Sequence, residues 1–218
     1  MLNIQSFTCN PVGANCYVLS DETGAACIVD PGQASKEEES DLNDYISHNK
    51  LQPSLLLCTH GHFDHVWGAK RVSELYGIPP RLHADDIELA RDFKGQVELF
   101  FGTQFARKVS THVQTSYLEI DDGNLLIFGS HALLTLHTPG HSPGGVCFWE
   151  ESEEVLLTGD TLFRGSVGRT DLSGGSINDL LLSVKTKLLT LQGSTRVLPG
   201  HGPETTIDHE RFHNPYLW

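Results

Sequence analysis

Short apolar runs separated by turn residues fill the first third of the chain, and this pattern predicts β-strands. The first runs are NIQSFT, NCYVLS and ACIVD, and the last of them ends at the turn DPG. PSLLLCTH is continuously apolar, as is typical of a strand buried on both faces. The later runs NLLIFG, ALLTLHTPG, GGVCFWE and EVLLTGD have turn chemistry between them, and TRVLPGHG adds a strand that leads into a loop.

Three other segments have helical spacing. Residues 35–50 begin with a capping box, Ser35 and Glu38, and carry an apolar stripe. Residues 66–77 predict a helix that ends at Gly77, and residues 176–189 place their apolar side chains on one helix face. The order of strands and helices, repeated in two halves, predicts one domain, 1–218, with two packed sheets and helices outside.

The segment 84–113 is polar and partly helical, and the spacing does not place its elements. It follows a predicted strand and helix and precedes the later group of strands. We interpret it as a candidate insertion, or lid, over the functional site.

Composition narrows the classes of protein that this chain can represent. Its 218 residues, 39% of them apolar, suffice for a sizeable core, and no apolar run approaches the length of a membrane span. The start MLNIQSFTCNP lacks a basic and then apolar leader, which predicts a cytoplasmic protein. Five scattered cysteines predict reduced thiols. The net charge of −13 disfavours nucleic acid and anionic membranes as partners.

Several predicted strands end in residues that bind metals. These ends and the string HGHFDH supply five histidines and two carboxylates: His60, His62, Asp64, His65, His141, Asp160 and His201. We expect them to meet, because loops at neighbouring strand ends share one rim of a rigid scaffold. One open catalytic metal takes about three protein ligands, so seven donors fit two metals if one carboxylate bridges.

Two of these donors, Asp64 and His65, precede the predicted helix at 66–77. A helix N-terminus favours a carboxylate and keeps imidazole neutral, which is its metal-binding form. The other histidines are expected not to bind metal, because an isolated histidine is more often an ordinary polar side chain. They are His48, His83, His112, His131, His137, His209 and His213.

The motifs THGHFDH, TPGHSPGG, TGDTLF and PGHGPETT, with IVDPG before them, resemble the metallo-β-lactamase superfamily. Within it they resemble the glyoxalase II-like (hydroxyacylglutathione hydrolase-like) branch, and the resemblance covers nearly the whole chain. It implies an α+β fold, an αββα sandwich of two mixed β-sheets with external helices. One departure is that the chain ends soon after His201, so it resembles a short form without the helical domain that holds glutathione.

The resemblance also implies roles for individual residues. His60, His62 and His141 match the ligands of one metal, and Asp64, His65 and His201 those of a second. Asp160 matches the carboxylate that bridges both, and Asp30 an aspartate that orients a ligand, since ligating histidines usually donate their other N–H to a partner.

The activity implied is hydrolysis of a thioester such as S-lactoylglutathione, a small-molecule substrate, by a metal-bridging hydroxide that attacks the carbonyl. The cofactors expected are two divalent transition-metal ions, zinc first, with iron or manganese as alternatives. Asp64 is expected to orient the hydroxide as well as to bind metal. Arg164 and Arg169, in FRGSVGRTD, are candidates for holding a substrate carboxylate.

Other functions are compatible with parts of the pattern. RGSVGRTD and NPYL also resemble persulfide dioxygenases, in which His60, His141 and Asp160 would hold a single iron. A β-lactamase is disfavoured by the missing secretion leader, a nuclease by the acidic charge, and a binding module by the complete set of ligands. The oligomeric state is open, with Tyr216, Leu217 and Trp218 as candidates for a core cap or a partner contact.

Overall fold

The computed structural model describes residues 1–109 and 116–218, and two six-stranded sheets form its centre. The strands of the first sheet lie in chain order, and the first three are antiparallel whereas the rest run parallel. They are β1 (Asn3–Cys9), β2 (Ala14–Ser20), β3 (Ala25–Val29), β4 (Gln52–Leu57), β5 (Pro80–His83) and β6 (Leu118–Ile120).

The second sheet is built from the later part of the chain. Its strands are β7 (Leu125–Phe128), β8 (His131–His137), β9 (Val146–Glu150), β10 (Val155–Gly159), β13 (Arg196–Pro199) and β14 (Thr205–Thr206). Their spatial order is β14-β13-β10-β9-β8-β7, with β10 and β13 parallel and the other neighbours antiparallel. A small hairpin, β11 (Leu162–Phe163) and β12 (Ser166–Val167), follows β10.

Alternation of side chains along the strands divides the apolar residues between two layers. In β2, Tyr17 and Leu19 enter the core between the sheets, whereas Val18 faces the outer side of its sheet. In β10, Leu157 points inward and Leu156 outward. Because both faces of these strands are covered, they are apolar along their whole length.

Helices cover the outer faces. They are α1 (Lys36–His48), α2 (Phe63–Val66), α3 (Ala69–Tyr76), α4 (Ile87–Arg91), α5 (Phe93–Phe101), α6 (Thr103–Ala106), α7 (Ile177–Ser183) and α8 (Ile207–His213). Helices α1 and α3 pack on the first sheet, and α7 and α8 on the second. The αββα sandwich of two mixed sheets with external helices is therefore confirmed. None of the described helices is long and apolar enough to cross a bilayer.

Two predicted helices differ from the structure. The helix expected over 66–77 is divided into α2 and α3, because Gly68 lies against the loop after β3. A Cβ atom there would come within 2.9 Å of the carbonyl oxygen of Pro31, and the Gly68 N–H donates to that oxygen at 2.7 Å. The helix expected over 176–189 is α7 followed by a π-helical turn, Val184–Leu188.

The segment 84–113 contains a 3₁₀ turn, Ala84–Asp86, and the helices α4, α5 and α6. Its last part, 110–113, lies outside the described residues, as does His112. The described part contacts the site from two directions. Phe100 of α5 lines the mouth of the site, and Asp86 lies behind the loops that carry the donors.

Candidate metal centre

The ends of four strands, β4, β8, β10 and β13, lead into loops that carry His60, His141, Asp160 and His201 at one edge of the sandwich. The structure brings all seven predicted donors together there. The Nδ1 atom of His62 lies 2.8 Å from Nε2 of His141. The Nε2 atoms of His65 and His201 lie 3.2 Å apart.

The two acidic donors face both sets of histidines. Asp160 Oδ1 is 3.4 Å from His65 Nε2, and its Oδ2 is 3.5 Å from His141 Nε2. Asp64 Oδ2 is 3.2 Å from His201 Nε2. Ligand atoms can be grouped within 4.8 Å as His60–His62–His141 and as Asp64–His65–His201, and Asp160 groups with His60 and His65. Asp160 thus lies between the two sets, as a bridging carboxylate requires.

The position of Asp64 and His65 corrects one expectation. They lie inside a short helix of their own, α2, which is followed by α3, and His62 is the N-cap residue of α2. This helix faces Asp64 and His65 toward the donors from the second sheet. The backbone carbonyl of Asp64 is held by the side-chain amide of Asn10 at 2.9 Å.

Hydrogen bonds orient four of the histidine rings. In His141 the Nδ1–H donates to the carbonyl oxygen of Arg169 at 2.7 Å, and in His201 it donates to that of Gly13 at 3.1 Å. A carbonyl oxygen can only accept, so these rings carry their lone pair on Nε2. The lone pairs point toward the centre of the cluster.

Asp30 orients the other two rings. Its Oδ2 atom accepts from His65 Nδ1 at 2.9 Å and from the hydroxyl of Thr59 at 2.7 Å. Thr59 Oγ1 in turn lies 3.0 Å from His60 Nδ1, from which it can accept. The predicted partner of a ligating histidine is thus at hydrogen-bonding distance, and Asp30 adopts a left-handed backbone (φ +53°) to reach it.

Burial and neighbouring charges shift the pKa values of these groups. Burial lowers the pKa of His60 well below its usual range and that of His62 to about 3, so both rings are neutral. Burial alone would raise the pKa of Asp160, but His65 and His141 outweigh it and hold the pKa well below its ordinary value. For His60, His62 and Asp160 these are the protonation states that bind a cation. Burial alone would lower the pKa values of His65 and His201, but the neighbouring carboxylates outweigh it and raise them, and a bound cation would displace the proton there.

Two buried atoms in the cluster have no hydrogen-bond partner among the described residues. They are Nε2 of His60 and Oδ1 of Asp160, both of which can accept. Burying a polar atom without a partner costs free energy of folding unless a water molecule or an ion satisfies it. Unpartnered acceptor atoms within a cluster of imidazoles and carboxylates fit a divalent cation, so the residues present fit the two metal ions expected.

The comparison with known families decides the relationship. The family model described as the metallo-beta-lactamase superfamily matches residues 9–201. The chain belongs to the metallo-beta-lactamase superfamily.

Relatives within this superfamily align over nearly the full length. A protein from Mycobacterium leprae is 45% identical over 98% of both chains. The probable metallo-hydrolase YqgX of Bacillus subtilis is 40% identical, over 95% of this chain and 93% of its own. The hydroxyacylglutathione hydrolase GloC of Haemophilus influenzae is 32% identical, over 99% and 98%.

Solved structures agree with the fold. The BLEG-1 B3 metallo-beta-lactamase superposes with a TM-score of 0.85 at 34% identity, covering 99% of each chain. A second protein, TTHA1623, was solved in a di-iron-bound form, with a TM-score of 0.84 at 34% identity, covering 98% of this chain and 100% of its own. The chain therefore belongs to a superfamily of metal-dependent hydrolases.

A cavity of about 270 Å³ opens onto the seven donor residues. Its wall is largely apolar, with the donors at its base. The apolar lining comes from Val12, Phe63, Phe100, Phe163 and Leu172. Such a wall keeps water away from a bound substrate and suits an uncharged acyl group.

The two arginines predicted to contact substrate differ in position. Arg169 lines the cavity, its guanidinium group lies 5.7 Å from the centre of the Phe100 ring, and it pairs with Asp171 at 2.7 Å. Arg164 is exposed, and the described residues lining the cavity do not include it. Arg169 therefore remains the better candidate of the two.

A fourth cluster contains two histidines expected not to bind metal. The donor atoms of His83, Asp85 and His137 lie within 4.8 Å of one another. However, the rings of His83 and His137 stack with planes 7° apart and centres 4.1 Å apart. A metal ion lies in the plane of each imidazole that binds it, so one ion cannot serve both rings in this arrangement.

Sequence reasoning missed several residues that hold the donor loops. Thr59 and Asp86 are buried side chains that bond these loops, and Gln96 donates to the carbonyl oxygen of Gly61 at 3.2 Å. Phe100 was also missed as part of the cavity wall. Thr59 was signalled only by its place next to His60, and the other three lie in the segment that the pattern could not place.

Proposed function

We propose that the chain is a thioester hydrolase of the glyoxalase II-like type, acting on a substrate such as S-lactoylglutathione through two divalent metal ions. One observation carries the proposal, the convergence of five imidazoles and two carboxylates at one edge of the sandwich. Zinc is the first choice of metal, with iron or manganese as alternatives, because imidazole and carboxylate accept all three.

The proposed ligand sets follow the two groups of donor atoms. His60, His62 and His141 would hold one ion, and Asp64, His65 and His201 the other. Asp160 would bridge them. Bound there, the two ions would supply Lewis acidity and a nucleophilic water at neutral pH.

The chain's own residues would orient the reactants. The carboxylate of Asp64 would accept a hydrogen bond from the attacking water and direct its lone pair at the carbonyl carbon. The apolar wall would exclude other water molecules. A thiolate leaves readily, because the pKa of a thiol is only about 8.5, so a site without an evident general acid suits a thioester.

Similarity to one relative and the position of one side chain support glutathione as the thiol half of the substrate. The relative GloC is named as a hydroxyacylglutathione hydrolase. Arg169 would bind a substrate carboxylate by exchanging its exposed partner, Asp171. The five free cysteines support the further proposal that the protein works in a reducing, cytoplasmic compartment.

Two other activities remain as outcomes of the same test. A persulfide dioxygenase would use one iron on His60, His141 and Asp160. A lactam hydrolase is suggested by the similarity to the BLEG-1 B3 metallo-beta-lactamase. The presence of both donor sets around Asp160 favours the binuclear hydrolase over a site for a single ion.

The deciding experiment measures thiol release from S-lactoylglutathione by protein loaded separately with zinc and with iron, with metal per chain counted on the same samples. We expect release at two metals per chain. Oxygen uptake with glutathione persulfide at one iron per chain would contradict the proposal and identify a persulfide dioxygenase. Cleavage of a chromogenic β-lactam without thiol release would contradict it and identify a lactam hydrolase.

The role of Asp64 is tested by Asp64→Asn, with metal counted in each sample. We expect the turnover rate, kcat, to fall by about 100-fold or more in the fraction that retains two metals, since positioned proton acceptors contribute about 10²–10⁴-fold. Full activity with both metals present would remove the orienting role.

A further inference from the structure

Asp86 is a fully buried carboxylate that lies behind the donor cluster and is not one of its donors. It ends the 3₁₀ turn Ala84–Asp86 in the segment after β5. Its Oδ2 atom accepts from the N–H of Gly61 at 2.8 Å and from the hydroxyl of Ser142 at 2.7 Å. Its Oδ1 atom accepts from the N–H of Gly144 at 2.6 Å.

The two loops joined in this way come from different sheets. Gly61 lies between His60 and His62 at the end of β4, whereas Ser142 follows His141 after β8. The three histidines of the first donor group therefore lie on two loops that share one carboxylate. A charged acceptor with three donors is among the stronger hydrogen-bonding arrangements in a protein interior.

Two glycines make this approach possible. A Cβ atom at Gly61 would lie 2.5 Å from the carbonyl oxygen of Asp86, and one at Gly144 would lie 2.7 Å from its backbone nitrogen. Both glycines thus leave room for the same residue. The carbonyl of Gly61 is bound as well, by the side chain of Gln96.

We propose that Asp86 is a positioning residue that holds the His60–His62 loop and the His141 loop at the separation at which their three rings bind one ion. This inference rests on the metal-binding part of the proposed function. The second group, Asp64, His65 and His201, is oriented by other contacts, from Asp30, Asn10 and Gly13. Loss of Asp86 should therefore weaken one metal site more than the other.

Asp86→Asn is a sharp test because it keeps the volume of the side chain. The amide nitrogen of the new Asn must take the place of either Oδ1 or Oδ2, where it faces the backbone N–H of Gly144 or of Gly61. Two hydrogen-bond donors would then face each other, and the loops would separate. Ser142→Ala is a milder variant that removes one of the three bonds and leaves Asp86 in place.

Metal binding is measured by titrating chelated protein with zinc against a chromophoric competitor, and by the visible spectrum of the cobalt-loaded protein. We expect the affinity of one of the two sites to fall by about tenfold or more in Asp86→Asn, as for other residues that hold ligands. A smaller fall at the same site is expected in Ser142→Ala, with an altered cobalt spectrum in both.

Two controls separate positioning from general stability. Asp85→Asn changes the neighbouring carboxylate, which is exposed. Glu150→Gln changes another buried carboxylate, at the end of β9. Glu150 also accepts hydrogen bonds from three residues, His131, Ser152 and Glu153. We expect the first to change little, and the second to lower the unfolding temperature without changing the ratio of the two zinc affinities.

The outcomes distinguish the two proposals. If the wild-type protein binds two metals and both Asp86→Asn and Ser142→Ala bind them with unchanged affinities and spectra, the role of Asp86 is wrong and the proposed function stands. If Asp86→Asn does not fold, Ser142→Ala alone decides. A wild-type protein that binds no metal would overturn both.

Discussion

At the scale of single residues, Gly200, directly before His201, leaves no room for a side chain beside the donors. A Cβ atom there would lie 2.2 Å from Oδ1 of Asp160 and 2.7 Å from Cε1 of His65. Gly200→Ala must therefore displace the proposed bridging carboxylate. We expect zinc affinity to fall by about tenfold or more, measured by competition with a chelator.

Gly202→Ala is the matched control for that variant. It lies two residues further along the same loop, and its added Cβ would meet open space, although its φ of +73° makes any side chain strained. The control should lose about 1 kcal/mol of stability and keep its metals. Equal metal affinity in both variants would show that the contact with Asp160 is unimportant.

Glu150 provides a pH prediction away from the metal centre. Burial alone would raise its pKa, but hydrogen bonds from His131, Ser152 and the backbone of Glu153 outweigh it and lower the pKa. The unfolded chain therefore takes up a proton more readily than the folded one. The resulting stability is present above about pH 4.3, the ordinary pKa of glutamate, and is lost as the pH falls through the folded value.

The test compares urea unfolding of the wild-type protein and of Glu150→Gln between pH 7 and pH 3. We expect the wild-type protein to be more stable at pH 7 and the difference between the two to narrow below about pH 4.3. Subtracting one curve from the other removes the titration of the groups that do not contact Glu150. A difference that stays constant with pH would contradict the assignment.

At the scale of elements, the capping box of α1 was predicted and is present. The hydroxyl of Ser35 accepts from the N–H of Glu38 at 3.2 Å, and the Glu38 carboxylate accepts from the N–H of Ser35 at 3.4 Å. Ser35→Ala should cost about 1 kcal/mol in the free energy of unfolding, measured in urea. Ser40→Ala, on the exposed surface of the same helix, should cost less, and an equal loss would show that the cap contributes nothing special.

Elements that the pattern missed are short. Strands β5 and β6 contain four and three residues, too few for an alternation of period two to be recognised. Both pair in parallel with strands distant in the sequence. Their existence depends on a sheet that is already formed, and so no local signal could place them.

At the scale of the whole molecule, the five free cysteines are distributed over the four hydrophobic clusters of the core. Cys27 lies between the sheets, Cys58 under the segment after β5, Cys147 beneath α7, and Cys9 and Cys16 beneath α1. Burial raises the pKa of Cys147 to about 11 and that of Cys9 to about 12, so both are protonated at neutral pH. Protonated, buried thiols react slowly.

We expect almost no thiol to react with Ellman's reagent in the native protein and all five to react in denaturant. In intermediate concentrations of urea, all five thiols should react in a single kinetic phase, at the rate at which the protein unfolds. A subset that reacts earlier would reveal a cluster that opens by itself and would argue against the single domain, 1–218, which remains a prediction.

The sequence by itself determined the strands that are apolar on both faces and the donor residues at their ends. Both signals are local, since each is carried by a few consecutive residues. The motif HGHFDH and the strand ends therefore identified the seven donors that meet at the edge of the sandwich. The family resemblance divides six of them into the same two groups as the distances between their ligand atoms.

Only the tertiary structure decided what holds those donors in place. Nothing in the sequence distinguishes Asp86 from its neighbour Asp85. In the structure Asp86 is buried and accepts hydrogen bonds from three donors, whereas Asp85 is exposed. The partners of Asp86 lie 25 to 58 positions away. Burial and hydrogen bonding at such separations arise from packing the two sheets together, and for that reason they could be seen only in the folded chain.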